Sequence, residues 1–135
     1  MAIGSELHVT VVTPAKSVFD AKAKSVTVPA FDGEVGVLPN HAPMLALLGS
    51  GELRVTGTDS KVTRLAIRGG FVQVSKNNVT VLTQEAATPE EIKPDVLSAE
   101  AAKLANEHPS KMDEREVLEG KKAWIAARQK VAAKK

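Results

Sequence analysis

From residue 6 to about residue 85, hydrophobic and polar positions alternate along the chain with a period near two. Leu7, Val9 and Val11 alternate with His8, Thr10 and Val12, and Val26 and Val28 alternate with Ser25 and Thr27. The runs ELRVT (52–56), VTRLAI (62–67), FVQV (71–74) and VTVLT (79–83) continue the pattern. Successive side chains of a strand point to opposite faces, so this period predicts strands with one buried face. GTDSK (57–61) and SKNN (75–78) are turn signals between them. Such short separations favour antiparallel hairpins over crossovers, and the spacing is that of an all-β sandwich or barrel.

Near residue 86 the pattern changes, as Ala, Glu and Lys replace Val and Thr. TPEE (88–91) pairs an N-cap Thr with a Glu three residues later and a Pro at the first helical position, which predicts a short turn. A helix is predicted from about Asp95 to Glu107, with Leu97, Ala101 and Leu104 on one face, ended at HPS (108–110) by Pro109. For a second helix Asp113 is the expected cap, with Glu116 completing a capping box and Met112 and Val117 set for a hydrophobic staple. Its apolar stripe is expected to run through Val117, Gly120, Trp124, Ala127 and Val131, forming an antiparallel helical hairpin with the first. These stripes are thin, because Ala and Gly bury little apolar area at about 25 cal/mol per Å². The hairpin is therefore expected to rest weakly on something and to be able to let go.

Composition narrows the functional classes. At 135 residues and 14.3 kDa there is room for one ordinary domain with a small helical appendage. Aromatics make up only 3% with no Tyr, so a core of Val, Leu, Ile and Ala is expected and stacking platforms for bases or sugars are scarce. The absence of cysteine removes disulfides, thiolate nucleophiles and Cys-based zinc sites. No apolar run reaches the roughly 20 residues that span a bilayer, and the start has no signal-peptide pattern. The chain is thus expected to be soluble while free to dock on a membrane-embedded partner. A net charge of +2 is too mild to mark a nucleic-acid binder. No acid follows Glu119, while Lys121, Lys122, Arg128, Lys130, Lys134 and Lys135 accumulate, which reads as a solvated face or as a partner-binding patch.

The stretch FDGEVGVLPNHAP (31–43) is the chain's chief candidate for chemistry, because it places Glu34 and His41 seven positions apart. Gly33 and Gly36 allow sharp turns and Pro39 and Pro43 stiffen the connection, so a fixed loop presenting both side chains outward is expected. The alternative is plain structure: Glu34 solvating a hairpin and His41 bonding a nearby carbonyl. No nucleophile motif accompanies the pair, and His8, His41 and His108 have no metal-ligand spacing. GSG (49–51) and RGG (68–70) do not make a phosphate loop and are read as turns or bulges.

FDGEVGVLPNHAPMLALLGSGELRV, the later IRGGFVQVSKNNVTVL and the Ala-rich helical end together resemble the ε subunits of bacterial F-type ATP synthases. The G-E-x-G-x-L-P-x-H-x-P pattern at 33–43 and the GG-F-x-x-V-x-x-N-x-V-x-V-L run at 69–82 carry the resemblance, which extends along essentially the whole chain. It implies an N-terminal antiparallel β-sandwich of about ten strands over residues 1–87 and a regulatory helical hairpin over 88–135. It further implies a non-catalytic rotor subunit at the cytoplasmic face of the bacterial membrane, bound to γ and seated on the c ring. Such a subunit couples ring rotation and proton transport to ATP synthesis in the α/β hexamer. Its helices can extend toward that hexamer and restrain hydrolysis. Carried over by position, Glu34 and His41 face the ring, and Lys121, Lys122, Arg128 and Lys130 meet an acidic loop of the β subunit.

One departure concerns ATP. Family members that bind it on the helical domain resemble I/L-D-x-x-R-A, whereas PDVLSA (94–99) keeps Asp95 and Ala99 but has Ser98 in place of the Arg and Pro94 in place of the apolar residue. Without that guanidinium, ATP binding at Asp95 is expected to be weak or absent, and no other cofactor is expected. Two further readings compete: a nucleic-acid or anionic-surface module using the Lys-rich end, and a small hydrolase built on Glu34 and His41.

Overall fold

The computed structural model describes residues 6–107 and 112–133. Among the described residues the alternating half folds into nine strands. They are β1 (Leu7–Val12), β2 (Ser17–Ala30), β3 (Gly33–Val37), β4 (Met44–Leu48), β5 (Gly51–Gly57), β6 (Val62–Ile67), β7 (Gly70–Ser75), β8 (Asn78–Leu82) and β9 (Ala86–Ala87). Their hydrogen-bonded order is β1-β8-β7-β4-β2-β5-β6-β9, with β3 paired to β2 and β1 returning to β2. The 14-residue β2 is the spine, pairing β1 through its first half, β5 across its middle and β3 through its second half. Its register against β5 slips between Ala23 and Ser25, a bulge that bends the strand so that it can serve both layers.

The hairpins expected from short separations are present, and β1 and β8, distant in sequence, add a parallel pairing that local spacing could not disclose. SKNN forms a tight two-residue turn in which Lys76 and Asn77 both have positive φ, 51° and 65°, the geometry that suits the twist of a hairpin. RGG also turns: Gly70 has φ 109°, and a Cβ there would lie 1.8 Å from the Leu82 carbonyl oxygen. The core between the layers is aliphatic, with Leu7, Val9, Val11, Val26, Val28, Leu53, Val55, Leu65, Ile67, Val72, Val74, Val79 and Val81 sealed from solvent. Each such side chain contributes roughly 1.5–3 kcal/mol by leaving water.

Thr88 opens a single 3₁₀ turn at Pro89–Glu91, where its N–H and hydroxyl both donate to the Glu91 carboxylate at 3.3 and 2.9 Å. Two helices follow, α1 (Pro94–Ala105) and α2 (Met112–Ala133). Leu97 and Leu104 are buried and Ala101 packs beside them, as the spacing predicts. The start of α2 differs from expectation. Met112 is already helical, so Asp113 sits within the first turn, and Met112 and Val117 are both exposed rather than stapled. Pro109 and the rest of the interhelical connection at 108–111 lie outside the described residues.

The buried side of α2 runs through Leu118, Trp124, Ile125, Ala127 and Val131, while Val117 and Gly120 are exposed. α2 lies on β5 and β6 and also against α1. Leu118 shares a cluster with Leu97 and Leu104 of α1, so the side of α2 that it occupies is buried where Val117 is not. A second hydrophobic cluster results, joining Ala66 of β6 and Ile92 to both helices.

Candidate functional site

Along β5, Leu53 and Val55 enter the sandwich core, so Glu52 and Arg54 must point to the opposite face, the one on which α2 lies. Arg54 sits directly across the ladder from Arg64 of β6. Like charges so placed repel. Glu52 resolves the conflict: one carboxylate oxygen accepts from Arg54 Nη1 at 2.9 Å and the other lies 3.6 Å from Arg64 Nε, with the Glu52 side chain fully buried. A second carboxylate, Glu34, takes the outer side of Arg54, with Nη1–Oε2 at 3.0 Å and Nη2–Oε1 at 3.2 Å. These two acceptors, Glu34 foremost, hold the Arg54 pKa above its ordinary value.

Glu34 is therefore not on a loop. The turn between β2 and β3 is Phe31–Asp32, Gly33 supplies the positive φ of 137° that starts β3, and Gly36 is an ordinary mid-strand residue opposite Thr27. The sharp turn expected at Gly36 is absent because β3 continues its pairing with β2 as far as Val37.

His41 lies on a true loop beyond the far end of β3. Its N–H donates to the Leu38 carbonyl at 3.1 Å and its Nδ1 donates to the Ala42 carbonyl at 2.7 Å. The preceding Asn40, at φ 68°, donates its N–H to Asn77 Oδ1 at 2.6 Å and accepts from Asn77 Nδ2 at 3.4 Å, tying the loop to the β7–β8 turn. The loop is fixed, as expected, but by asparagines as much as by its prolines. Glu34 and His41 leave opposite ends of β3, one into an ion-pair cluster and the other into a turn, which is not the geometry of an acid–base pair. Among the described residues no group of three His, Asp or Glu side chains is placed to hold a metal. His8 instead pairs with Asp20 on the neighbouring strand, and His108 lies outside the described residues.

The basic end of the chain divides. Lys121, Lys122 and Lys130 are exposed, with Lys122 3.9 Å from Glu119. Arg128 is not on that solvated face. It donates through Nη1 and Nη2 to the two oxygens of Glu100 on α1, at 3.4 and 2.6 Å, and its guanidinium lies 4.9 Å from the Trp124 ring centroid. The clamp ties the two helices together, and two cavities of about 410 Å³ each share Trp124 and Arg128 in their walls. Lys134 and Lys135 lie outside the described residues. Asp95 and Ser98 are exposed on α1.

A fourth feature escaped sequence reading. Leu47 of β4, Phe71 of β7 and Leu82 of β8 are aligned across three strands, and all are about half exposed. Phe31, 80% exposed, is tied beside them by its N–H to the Leu47 carbonyl, and Leu45 is exposed next along β4. In MLALL every second residue is still apolar on the outer face, a repeat that was available as a signal but is easily taken for core.

This fold has recognisable relatives. The β-sandwich domain of the ATP synthase delta/epsilon chain matches residues 6–89, more than half the chain. The chain belongs to the ATP synthase epsilon-chain family. Among members of the family, the ATP synthase epsilon chain of Symbiobacterium thermophilum is 45% identical over 100 residues, 73% of this chain and 70% of that one. That of Desulfitobacterium hafniense strain Y51 is 38% identical over 122 residues, 90% of this chain and 89% of that one. Of solved structures, a chain of the Euglena gracilis mitochondrial ATP synthase assembly OSCP/F1/c-ring has a TM-score of 0.85 at 23% identity, covering 98% of this chain and 84% of its own. A chain of the Tetrahymena thermophila mitochondrial central stalk and c-ring has a TM-score of 0.70 at 18% identity, covering 93% of this chain and 96% of its own. At those identities the structures establish a shared fold, including the helices after the sandwich. The resemblance implies about ten strands, and the described residues form nine, followed by the two helices expected.

Proposed function

We propose that this epsilon-family chain is a non-catalytic subunit of the ATP synthase central stalk. In this reading it binds γ, sits on the c ring, transmits rotation to ATP synthesis and restrains hydrolysis through its helices. The observation that carries the γ contact is the apolar strip of Leu47, Phe71 and Leu82 across β4, β7 and β8, with Phe31 of the β2–β3 turn beside it, whereas α2 packs on β5 and β6. A strip of large apolar side chains left in water is the mark of a protein interface. Glu34 and His41 are the ring-facing contacts, suited to register by polar pairing more than by oily contact.

Lys121, Lys122 and Lys130 are accessible to the acidic loop of the β subunit with the hairpin docked, whereas Arg128 reaches it only after leaving Glu100 and Trp124. ATP binding by the helices is weak or absent, since Ser98 offers no guanidinium and Arg128 is already engaged by a carboxylate. Among the described residues no helix is long and apolar enough to cross a membrane, and attachment to the cytoplasmic face of the bacterial membrane runs through the ring.

Reconstitution with the matching α, β and γ subunits tests both halves. Leu47→Glu is expected to abolish co-purification with γ, and a chain ending after Ala87 is expected to bind γ yet leave ATP hydrolysis faster than the full chain does. Retained γ binding by the variant would remove the apolar strip from the interface, and equal hydrolysis rates would remove the brake.

A further inference from the structure

The Glu34 carboxylate has two claims on it. Inside the molecule it holds the outer side of Arg54 in the cluster on the face covered by α2, where Arg54 and Arg64 meet Glu34 and Glu52. Glu52 is wholly buried, but Glu34 is about half exposed, so it alone of the two carboxylates can be reached from outside. Glu34 and Glu52 also line a cavity of about 290 Å³ together with Ala126, Ala127 and Lys130 of α2. The carboxylate pair therefore faces the C-terminal half of α2, and its net charge is felt by that helix.

We propose that Glu34 is a shared contact linking the outer surface of the sandwich to the docking of the hairpin. This rests on the reading that Glu34 meets a ring loop. A partner presenting a cation or N–H donors takes Glu34 away from Arg54. Arg54 then loses its outer carboxylate, Lys130 loses one of the two carboxylates that share its cavity, and α2 loosens from residue 124 onward. Engagement of the sandwich by its partner thus favours release of the helices, and docked helices hold Glu34 inward. The coupling is reciprocal, because both events draw on one carboxylate.

Amide hydrogen exchange of the isolated full-length protein tests this without any partner. Glu34→Gln is expected to speed exchange in residues 124–131 by about three- to tenfold, the scale of losing one partly exposed charge-assisted pair, with β1, β7 and β8 unchanged. Glu34→Gln combined with Arg64→Gln restores the net charge of the wild-type cluster and is expected to return exchange toward the wild-type rate, which a merely structural loss would not do. Unchanged exchange in the single variant, or no recovery in the double, overturns the proposal. Coupling in the reconstituted synthase separates the two ideas. Lost coupling with unchanged exchange keeps the ring contact and sinks the link, whereas faster exchange with intact coupling keeps the internal contact and removes the ring as its partner.

Discussion

The two hydrophobic clusters of this chain are built on different terms. In the sandwich, sixteen aliphatic side chains of the described residues, from eight strands, interlock with almost no exposure, and the strands close through the return of β1 to β2. In the cluster under the helices Ala66 and Val131 are sealed while Leu104, Leu118, Trp124 and Ile125 keep slight exposure, and ion pairs finish each side of it: Glu52 with Arg54 and Arg64 within the sheet, and Arg128 with Glu100 within the hairpin. The first set lies within the sheet and the second, with Glu100 partly exposed, within the hairpin, so the described packing between helices and sandwich is the smaller apolar cluster. The comparison predicts that the hairpin separates before the sandwich unfolds.

The strongest way to break that contrast is to damage the sandwich itself. Gly70→Ala forces a side chain into a φ of 109° and places its Cβ against the Leu82 backbone, which neighbouring side-chain rotation cannot relieve. A loss on the order of 4 kcal/mol or more is expected in urea unfolding, shared by every element including the helices. A loss confined to the helices would show that the sandwich is not the independent unit. Next comes Trp124→Ala. Removing a buried Trp costs about 3–5 kcal/mol where it packs, here at the junction of both helices with the sheet. Proteolysis between 94 and 133 is expected to become fast while the sandwich transition barely moves. A matching fall in the sandwich transition would mean one cooperative unit.

How much of this was legible beforehand depended on whether a feature is local. Alternation in ELRVT and VTVLT reports the strand and its inner face directly, and TPEE reports its own turn, because the partners lie within a few residues. The parallel β1–β8 pairing joins residues some seventy positions apart, and no spacing rule reaches that far. Glu52 and Arg54 announce a polar face on β5, but that α2 covers it depends on how the hairpin lies. The burial of Glu52 was therefore hidden. Periodicity places Val117 on the buried stripe, but it gives the spacing of a helix's faces and not which neighbours each turn meets, and Leu118 is buried in its stead. Arg128 reads as one more cation in a basic tail until Glu100 is brought across from α1.

That last residue supplies the finest test of the contrast. Glu100→Gln keeps the shape of the clamp and removes one charge, so it separates ionic fixing from apolar packing within the same interface. Glu100 is partly exposed and its ion pair is screened, which limits the loss to about 1 kcal/mol. Arg128 keeps its place over Trp124, the chain's one tryptophan, and indole fluorescence therefore reads the clamp directly. In the variant, fluorescence is expected to become salt-insensitive, while the wild type changes with ionic strength as screening loosens Arg128 from Glu100. Equal salt responses in the two proteins would show that the cation–π contact and the apolar cluster hold the hairpin by themselves. The ionic finish would then be incidental to how the helices dock.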